Sequence, residues 1–132
     1  MSEGAEKTEF DWVAERSACT LPKMFRQLRE EIEGDVKERN AQRPDNALYE
    51  FLVEDKDSSF VVVLHAADYR RTVTFLFEDH AITVLDPSGN QMFEVTLQFT
   101  DEGKCRLKAK EENREPWQVR RMALEDLLFR TN

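Results

Sequence analysis

Two histidines, His65 and His80, are the side chains of this 132-residue chain best suited to acid–base catalysis or metal binding. His65 stands in the most apolar run with no acid close before or after it, which favours a hydrogen-bonded core or half-buried histidine. His80 follows Glu78 and Asp79 in a tight turn, but successive residues at a strand end point apart, while metal ligands must converge. We therefore predict no metal site and no catalytic histidine.

The two cysteines, Cys19 and Cys105, have neither a CxxC spacing nor histidine or cysteine neighbours at metal-ligand spacing. This pattern favours two reduced structural thiols, with Cys105 buried on the inward face of a strand. The serines near predicted turns, Ser58, Ser59 and Ser88, have no nucleophile-elbow motif around them. The four glycines do not cluster into a phosphate-binding loop. We predict no catalytic residue and no cofactor, and we favour a binding protein over an enzyme.

Basic residues alternate along one predicted strand, where Arg106 and Lys108 lie between Lys104 and Lys110. Arg106 and Lys108 are therefore candidates for binding an anionic ligand. The alternative is structural, because lysines along a terminal strand discourage pairing with another sheet edge. We favour the structural interpretation.

An aromatic residue with two guanidiniums opens the last helix, where Trp117 precedes Arg120 and Arg121. Such a group can contact an anionic partner or a protein through cation–π and charge-assisted hydrogen bonds. The competing interpretation is a core tryptophan with arginines that extend from the rim to solvent. We favour the core tryptophan and keep the three residues as binding candidates.

The charge of the chain restricts its partners. The formal net charge is −8, with 35% charged residues. We expect no binding to nucleic acid or to an anionic membrane, because both need a clustered positive field.

The length predicts a single domain over residues 1–132, with residues 1–9 as a flexible tail. The acidic N-terminus and the lack of a long apolar run predict no signal peptide and no membrane span, so we expect the cytoplasm.

The first long helix is predicted over residues 21–40, with Thr20 as its cap and Pro22 in its first turn. Residues 10–16 are ambiguous between helix and strand, and we favour helix. The apolar positions of the long helix recur at steps of three and four, which gives one buried stripe. That stripe contains Leu21, Phe25, Leu28, Ile32 and Val36.

Six strands are predicted after this helix, joined by short polar turns that suit hairpins and are too short for parallel crossovers. Later strands alternate between apolar and polar residues, so part of the sheet has one solvated face. The second strand is apolar on both faces, and we expect both to be covered. The predicted strands are 47–54, 59–66, 70–78, 81–85, 91–100 and 104–110.

The C-terminal helix is predicted over 116–130 and has apolar residues on two sides. One stripe contains Trp117 and three leucines. The other contains Val119, Met122 and Ala123, and we expect it to contact either the N-terminal segment around Trp12 or a second copy of the chain. These three residues are our candidate interface of a homodimer.

Together these elements predict an α+β fold: an antiparallel meander sheet of five to six strands (residues 47–110), flanked by an N-terminal and a C-terminal helix packed on one face. In size, acidity and helix–sheet–helix order the chain resembles the small acidic chaperones of bacterial secretion systems, although it lacks their helix between early and late strands. We expect a non-enzymatic protein-interaction or chaperone-like adaptor module. The alternative is a small-molecule-binding protein or enzyme with a pocket between sheet and helices.

Overall fold

The computed structural model describes residues 9–130 and has an α+β architecture. The helices are α1 (Trp12–Ala18), α2 (Leu21–Ala41) and α3 (Pro116–Phe129). The strands are β1 (Tyr49–Lys56), β2 (Ser59–Ala66), β3 (Arg70–Phe77), β4 (Ile82–Leu85), β5 (Gln91–Phe99), β6 (Cys105–Ala109) and β7 (Glu112–Arg114). The tail predicted for residues 1–9 lies outside the described part of the chain except for Glu9.

The seven strands form one sheet in the order β1-β2-β3-β4-β5-β6-β7, and every neighbouring pair is antiparallel. The predicted meander is therefore confirmed, with one more strand than the expected five to six. The additional strand, β7, follows a two-residue turn in which Lys110 and Glu111 have φ angles of 53° and 67°. Two left-handed residues suit a tight hairpin, but the usual Asn-Gly or Asp-Gly sequence signal is missing here.

The helix predictions agree with the structure. Thr20 caps α2 by accepting a hydrogen bond from the Lys23 N–H, and Asp11 caps α1 by accepting one from the Ala14 N–H at 3.1 Å. The ambiguous N-terminal segment is thus helical, as favoured. No residue of α1 is buried, whereas α2 buries Leu28, Ile32 and Val36.

The core lies between one face of the sheet and the two long helices. Phe60 of β2 and Phe75 of β3 are register partners, and their stacked rings lie 4.8 Å apart between centroids. The ring of Phe25 on α2 packs against that of Phe60, with 5.2 Å between the ring centroids. Buried residues from α2, α3 and six of the strands belong to this one cluster, so both long helices cover the same sheet face.

The opposite face of β2 is also buried, at Val61 and Val63. Glu54 on β1 and Arg70 on β3 form an ion pair of 2.8 Å, and the strand register shows that these side chains meet across β2. Side chains from the flanking strands therefore contribute to the second cover that the sequence predicted for this strand.

The cysteine prediction is wrong, because Cys19 and Cys105 form a disulfide with their Cα atoms 5.5 Å apart. The residues are 86 positions apart, and only the fold brings the α1–α2 junction to the first residue of β6. Cys105 is also exposed rather than buried, because it stands at the end of its strand. Within residues 9–130, no helix is both long and apolar enough to cross a membrane.

Candidate interaction groove between α2 and α3

A groove of about 450 Å³ lies between the C-terminal half of α2 and α3. Leu124 and Leu128 form its apolar floor and are buried. Trp117 and Phe129 also line it, and these large aromatic side chains are 53% and 61% exposed. They are twelve positions apart on α3, which corresponds to about 18 Å along the helix axis.

Trp117 is exposed because of its position in the first turn of α3. Pro116 opens this helix, and the Glu115 N–H donates to Oε1 of Gln118 at 2.7 Å, which fixes the turn. The indole then lies at the start of α3, before its buried positions begin at Val119. The favoured interpretation of Trp117 as a core residue is therefore wrong.

Arg120 ties the two walls of the groove together. Its Nε donates to Asp35 at 2.7 Å and its Nη1 donates to Glu31 at 2.8 Å, both on α2. The Arg120 side chain is only 18% exposed. The Arg120 guanidinium therefore does not extend freely into solvent. It is also not available to bind an anionic ligand, because two carboxylates already accept its hydrogen bonds.

Arg39 of α2 makes a second connection at the Phe129 end of the groove. Its Nε donates to the Leu128 carbonyl oxygen at 2.8 Å. Its guanidinium carbon lies 5.3 Å from the centre of the Phe51 ring and 5.1 Å from that of Phe129. Because ion pairs and cation–π contacts hold the walls at both ends, the groove is formed without a ligand.

The charged rim on α3 is also paired internally. Arg121 Nε donates to Glu125 at 2.6 Å, and this guanidinium, with a smaller contribution from Arg130, holds the pKa of the Glu125 carboxyl below its ordinary value. At the C-terminal end of α2, the capping residue Gln42 donates to Glu38 at 3.2 Å. The polar groups of the rim therefore bond to one another rather than converge on the space inside the groove.

The structure separates the two sets of predicted binding residues. Trp117, Arg120 and Arg121 all line the groove. Arg106 and Lys108 project from the sheet face opposite the helices, where Arg106 forms an ion pair with Glu115 at 3.3 Å. The basic strand and the groove are thus not parts of a single site.

The predicted interface residues lie elsewhere than expected. Val119 and Ala123 are buried in the core, and Met122 is half-buried against it. The two apolar stripes predicted for α3 are therefore a single buried face. At 100° per residue, all buried positions of α3 fall within one arc of about 180° around the helix axis. These positions are Val119, Ala123, Leu124, Leu127 and Leu128.

The histidines do not form a site in the described residues. The His65 side chain is 52% exposed, with Nδ1 3.9 Å from a Glu50 oxygen, so of the two expected environments the core is excluded and the half-buried one remains. His80 is exposed in its turn. Residues 9–130 contain no group of three histidine, cysteine or acidic side chains placed to hold a metal ion.

The fold and groove define an α+β protein whose antiparallel meander carries two long helices on one face. No protein-family model matches the chain, and neither does any curated protein or solved structure. The groove itself is therefore the feature from which a function can be inferred.

Proposed function

We propose that this protein is a non-enzymatic interaction module, of an adaptor or chaperone-like kind, that binds a basic amphipathic helix of a partner protein between α2 and α3. The observation that carries the proposal is the exposure of Trp117 and Phe129 above an apolar floor. Tryptophan is strongly enriched among residues that dominate binding energy, and large exposed aromatics around an apolar groove are typical of interaction sites.

The size of the groove supports a helical occupant. About 18 Å between the two aromatic positions corresponds to some three turns of helix. An amphipathic helix would place apolar side chains at every third or fourth position onto Leu124 and Leu128, with its ends on Trp117 and Phe129. Because Arg120 and Arg39 hold the walls together, binding requires little rearrangement of the protein.

The charge of the molecule supports a basic partner. At a net charge of −8, two copies of the chain repel one another, while a positively charged segment is attracted over long range. Among the residues that line the groove, the acids Asp35, Glu38 and Glu125 are balanced by Arg39, Arg120 and Arg121, so the attraction for a basic partner comes from the net charge of the whole chain.

Strand addition is a less suitable mode of binding. The edge strand β1 is covered by α2 and by the turn that follows it. Arg43 of this turn donates to the Tyr49 carbonyl oxygen, and Arg29 of α2 binds the Asp55 carboxylate. The other edge strand, β7, has only three residues. A partner strand would therefore find few backbone groups to pair with.

A small-molecule ligand is the second candidate, because the volume of the groove falls in the range of ligand pockets. The groove lies between two helices, whereas the small-molecule alternative predicted from the sequence placed the pocket between the sheet and the helices. Its polar groups bond to each other, as Arg121 does to Glu125. This pairing supports a protein partner over a small polar ligand.

The cytoplasm remains a prediction from the sequence. The Cys19–Cys105 disulfide argues against a permanently reducing compartment, because such bonds are rare in cytosolic proteins. An oxidising compartment, or a disulfide that forms and breaks, accounts better for the bond.

The test uses three synthetic peptides of about 14 residues. One carries leucines at helical spacing with lysines elsewhere, one replaces the lysines with glutamates, and one scrambles the first sequence. Binding is measured by titration calorimetry against the full chain. We expect the lysine peptide to bind more tightly than the other two, and Trp117→Ala or Phe129→Ala to weaken it by at least about tenfold.

Trp12→Ala is the matched control, because Trp12 is an exposed tryptophan of α1 outside the groove lining. It should leave peptide binding unchanged. Equal binding of all three peptides, or binding that survives Trp117→Ala, would overturn the proposal. A wild-type dimer that Trp117→Ala dissociates in analytical ultracentrifugation would instead assign the groove to a second copy.

A further inference from the structure

The N-terminal helix α1 is attached to the rest of the protein mainly by a covalent bond. None of its residues is buried, and Phe10, Trp12 and Val13 are each more than half exposed. At one end of the segment, the ring of Phe10 lies against Gly103 in the β5–β6 turn, so closely that a Cβ there would be 2.6 Å from two ring carbons. At the other end, Cys19 is bonded to Cys105.

We propose that the Cys19–Cys105 disulfide is a reducible latch, and that its reduction by a dithiol releases residues 10–18 from the β5–β6 turn. The inference does not depend on the groove or on its occupant. It assigns a thiol-exchange site to Cys105 and a movable segment to the N-terminal side of Cys19.

The two sulfurs differ in accessibility, which determines the course of the exchange. Cys105 is exposed at the first position of β6, whereas Cys19 is 6% exposed. A thiolate of the dithiol attacks Sγ of Cys105, the sulfur–sulfur bond breaks, and its electron pair leaves on Sγ of Cys19, which takes up a proton. The second thiol of the reductant then attacks the mixed disulfide, and Cys105 leaves as a thiolate that is protonated in turn. Two electrons and two protons pass to the protein, and the reductant becomes a disulfide.

The elements on either side of the bond have their own stabilising contacts. Helix α2 begins at its Thr20 cap and is held by Leu28 and Ile32 in the core. The β5–β6 turn is closed by three hydrogen bonds. The Thr100 N–H donates to the Lys104 carbonyl oxygen at 2.8 Å, the Gly103 N–H donates to the Thr100 carbonyl oxygen at 2.9 Å, and the Lys104 N–H donates to the Thr100 hydroxyl oxygen at 3.1 Å. Breaking the disulfide therefore removes the anchor of α1 without removing the contacts of α2 or of the hairpin.

The experiment uses wild-type protein before and after treatment with dithiothreitol, with reduction followed as a gain of two mass units. We expect hydrogen exchange in residues 12–18 to become at least about tenfold faster on reduction than the loss of global stability alone would make it, while α2, β5 and β6 stay folded and exchange only through global unfolding. In a Trp117→Phe background, Trp12 is the only tryptophan, since the chain has two. Its fluorescence anisotropy should fall on reduction.

The double variant Cys19→Ala/Cys105→Ala is the matched control, and it should exchange like the reduced protein whether or not dithiothreitol is present. Three results would each overturn the latch. They are two free thiols in protein kept under oxidising conditions, unchanged exchange in 12–18 after reduction, and a sheet that no longer stays folded once the bond is reduced, which would make the bond a requirement of the whole fold.

Discussion

The side-chain amide of Asn40 pairs with the backbone of Phe51 as a neighbouring strand would. Nδ2 of Asn40 donates to the Phe51 carbonyl oxygen at 2.8 Å, and Oδ1 accepts from the Phe51 N–H at 2.9 Å. Phe51 lies on the edge strand β1, and its own side chain is buried in the core. A single residue of α2 thus satisfies a donor and an acceptor on the free edge of the sheet, which are groups that otherwise invite pairing with another chain.

We expect Asn40→Ala to lower the free energy of unfolding by about 1–3 kcal/mol, because it leaves both backbone groups of Phe51 without their partner. The variant should also aggregate more readily on heating. Denaturant titration and light scattering measure the two effects. Gln27→Ala removes an exposed amide from the same helix and should change neither quantity by much. Equal stability of the two variants would show that the Asn40 pairing contributes little.

The ion pair of Asp55 with Arg29 should make the free energy of unfolding depend on pH. Arg29 donates to both carboxylate oxygens at 2.7 and 2.8 Å, and this holds the pKa of the Asp55 carboxyl below its ordinary value. A carboxyl with a lowered folded-state pKa stabilises the fold above its unfolded pKa, about 3.9, and that contribution is lost as the pH falls through the folded value.

We therefore expect Asp55→Asn to be less stable than wild type at pH 7 and to approach wild type as the pH falls below about 4. The difference should shrink in high salt, since the pair is exposed. Thermal unfolding across a pH series measures it, and Asp57→Asn, in the neighbouring turn, is the control. A stability difference that stays constant down to pH 2 would contradict the assignment.

Reduction of the disulfide should lower the free energy of unfolding of the whole domain by about 2–4 kcal/mol. The bond closes a loop between residues 86 positions apart, so it restricts the unfolded chain strongly. Two reduced thiols, which the sequence favoured, would make stability independent of a reductant, and the disulfide reverses that expectation. Denaturant titration with and without dithiothreitol measures the difference. EDTA serves as a parallel treatment and should have no effect, and a stability unchanged by reduction would count against the bond.

Leu28→Asp or Phe75→Asp should prevent folding, because both side chains are fully buried where α2 meets the sheet. An isolated carboxylate there has no partner and must be neutralised or exposed by unfolding. Circular dichroism and denaturant titration would detect the loss of structure. Gln27→Asp introduces the same group one position away on the exposed side of α2 and should fold normally. Cooperative unfolding of both core variants near the wild-type midpoint would refute the assignment of these buried faces.

Most of the fold was predictable because alternation and helical spacing are local properties. The strand 59–66 is found with the expected bounds, and the start of β3 at Arg70 also agrees. The disulfide was not predictable in this way. The only signal was the presence of two cysteines, and their proximity depends on where the α1–α2 junction meets β6.

The groove was predictable only in part. Trp117, Arg120 and Arg121 were singled out, but their surroundings come from α2, through Asp35 and Arg39. Spacing within one helix cannot show which side chains a second helix contributes. Trp117 falls within the arc that α3 buries, so angular spacing alone predicts a core residue. It is exposed because it stands in the first turn, before the buried positions of α3 begin at Val119.

The meander topology has a consequence for how the chain folds during synthesis. Each strand pairs with the one made immediately before it, so the sheet can grow by successive local hairpins with little loop entropy to overcome. Helix α3 is made after all seven strands, and it covers part of the apolar face at β3. Until residues 116–129 leave the ribosome, that face is shielded by α2 alone. The nascent chain therefore passes through a stage at which its sheet is paired but half uncovered, and the last helix ends that exposure as it forms the second wall of the groove.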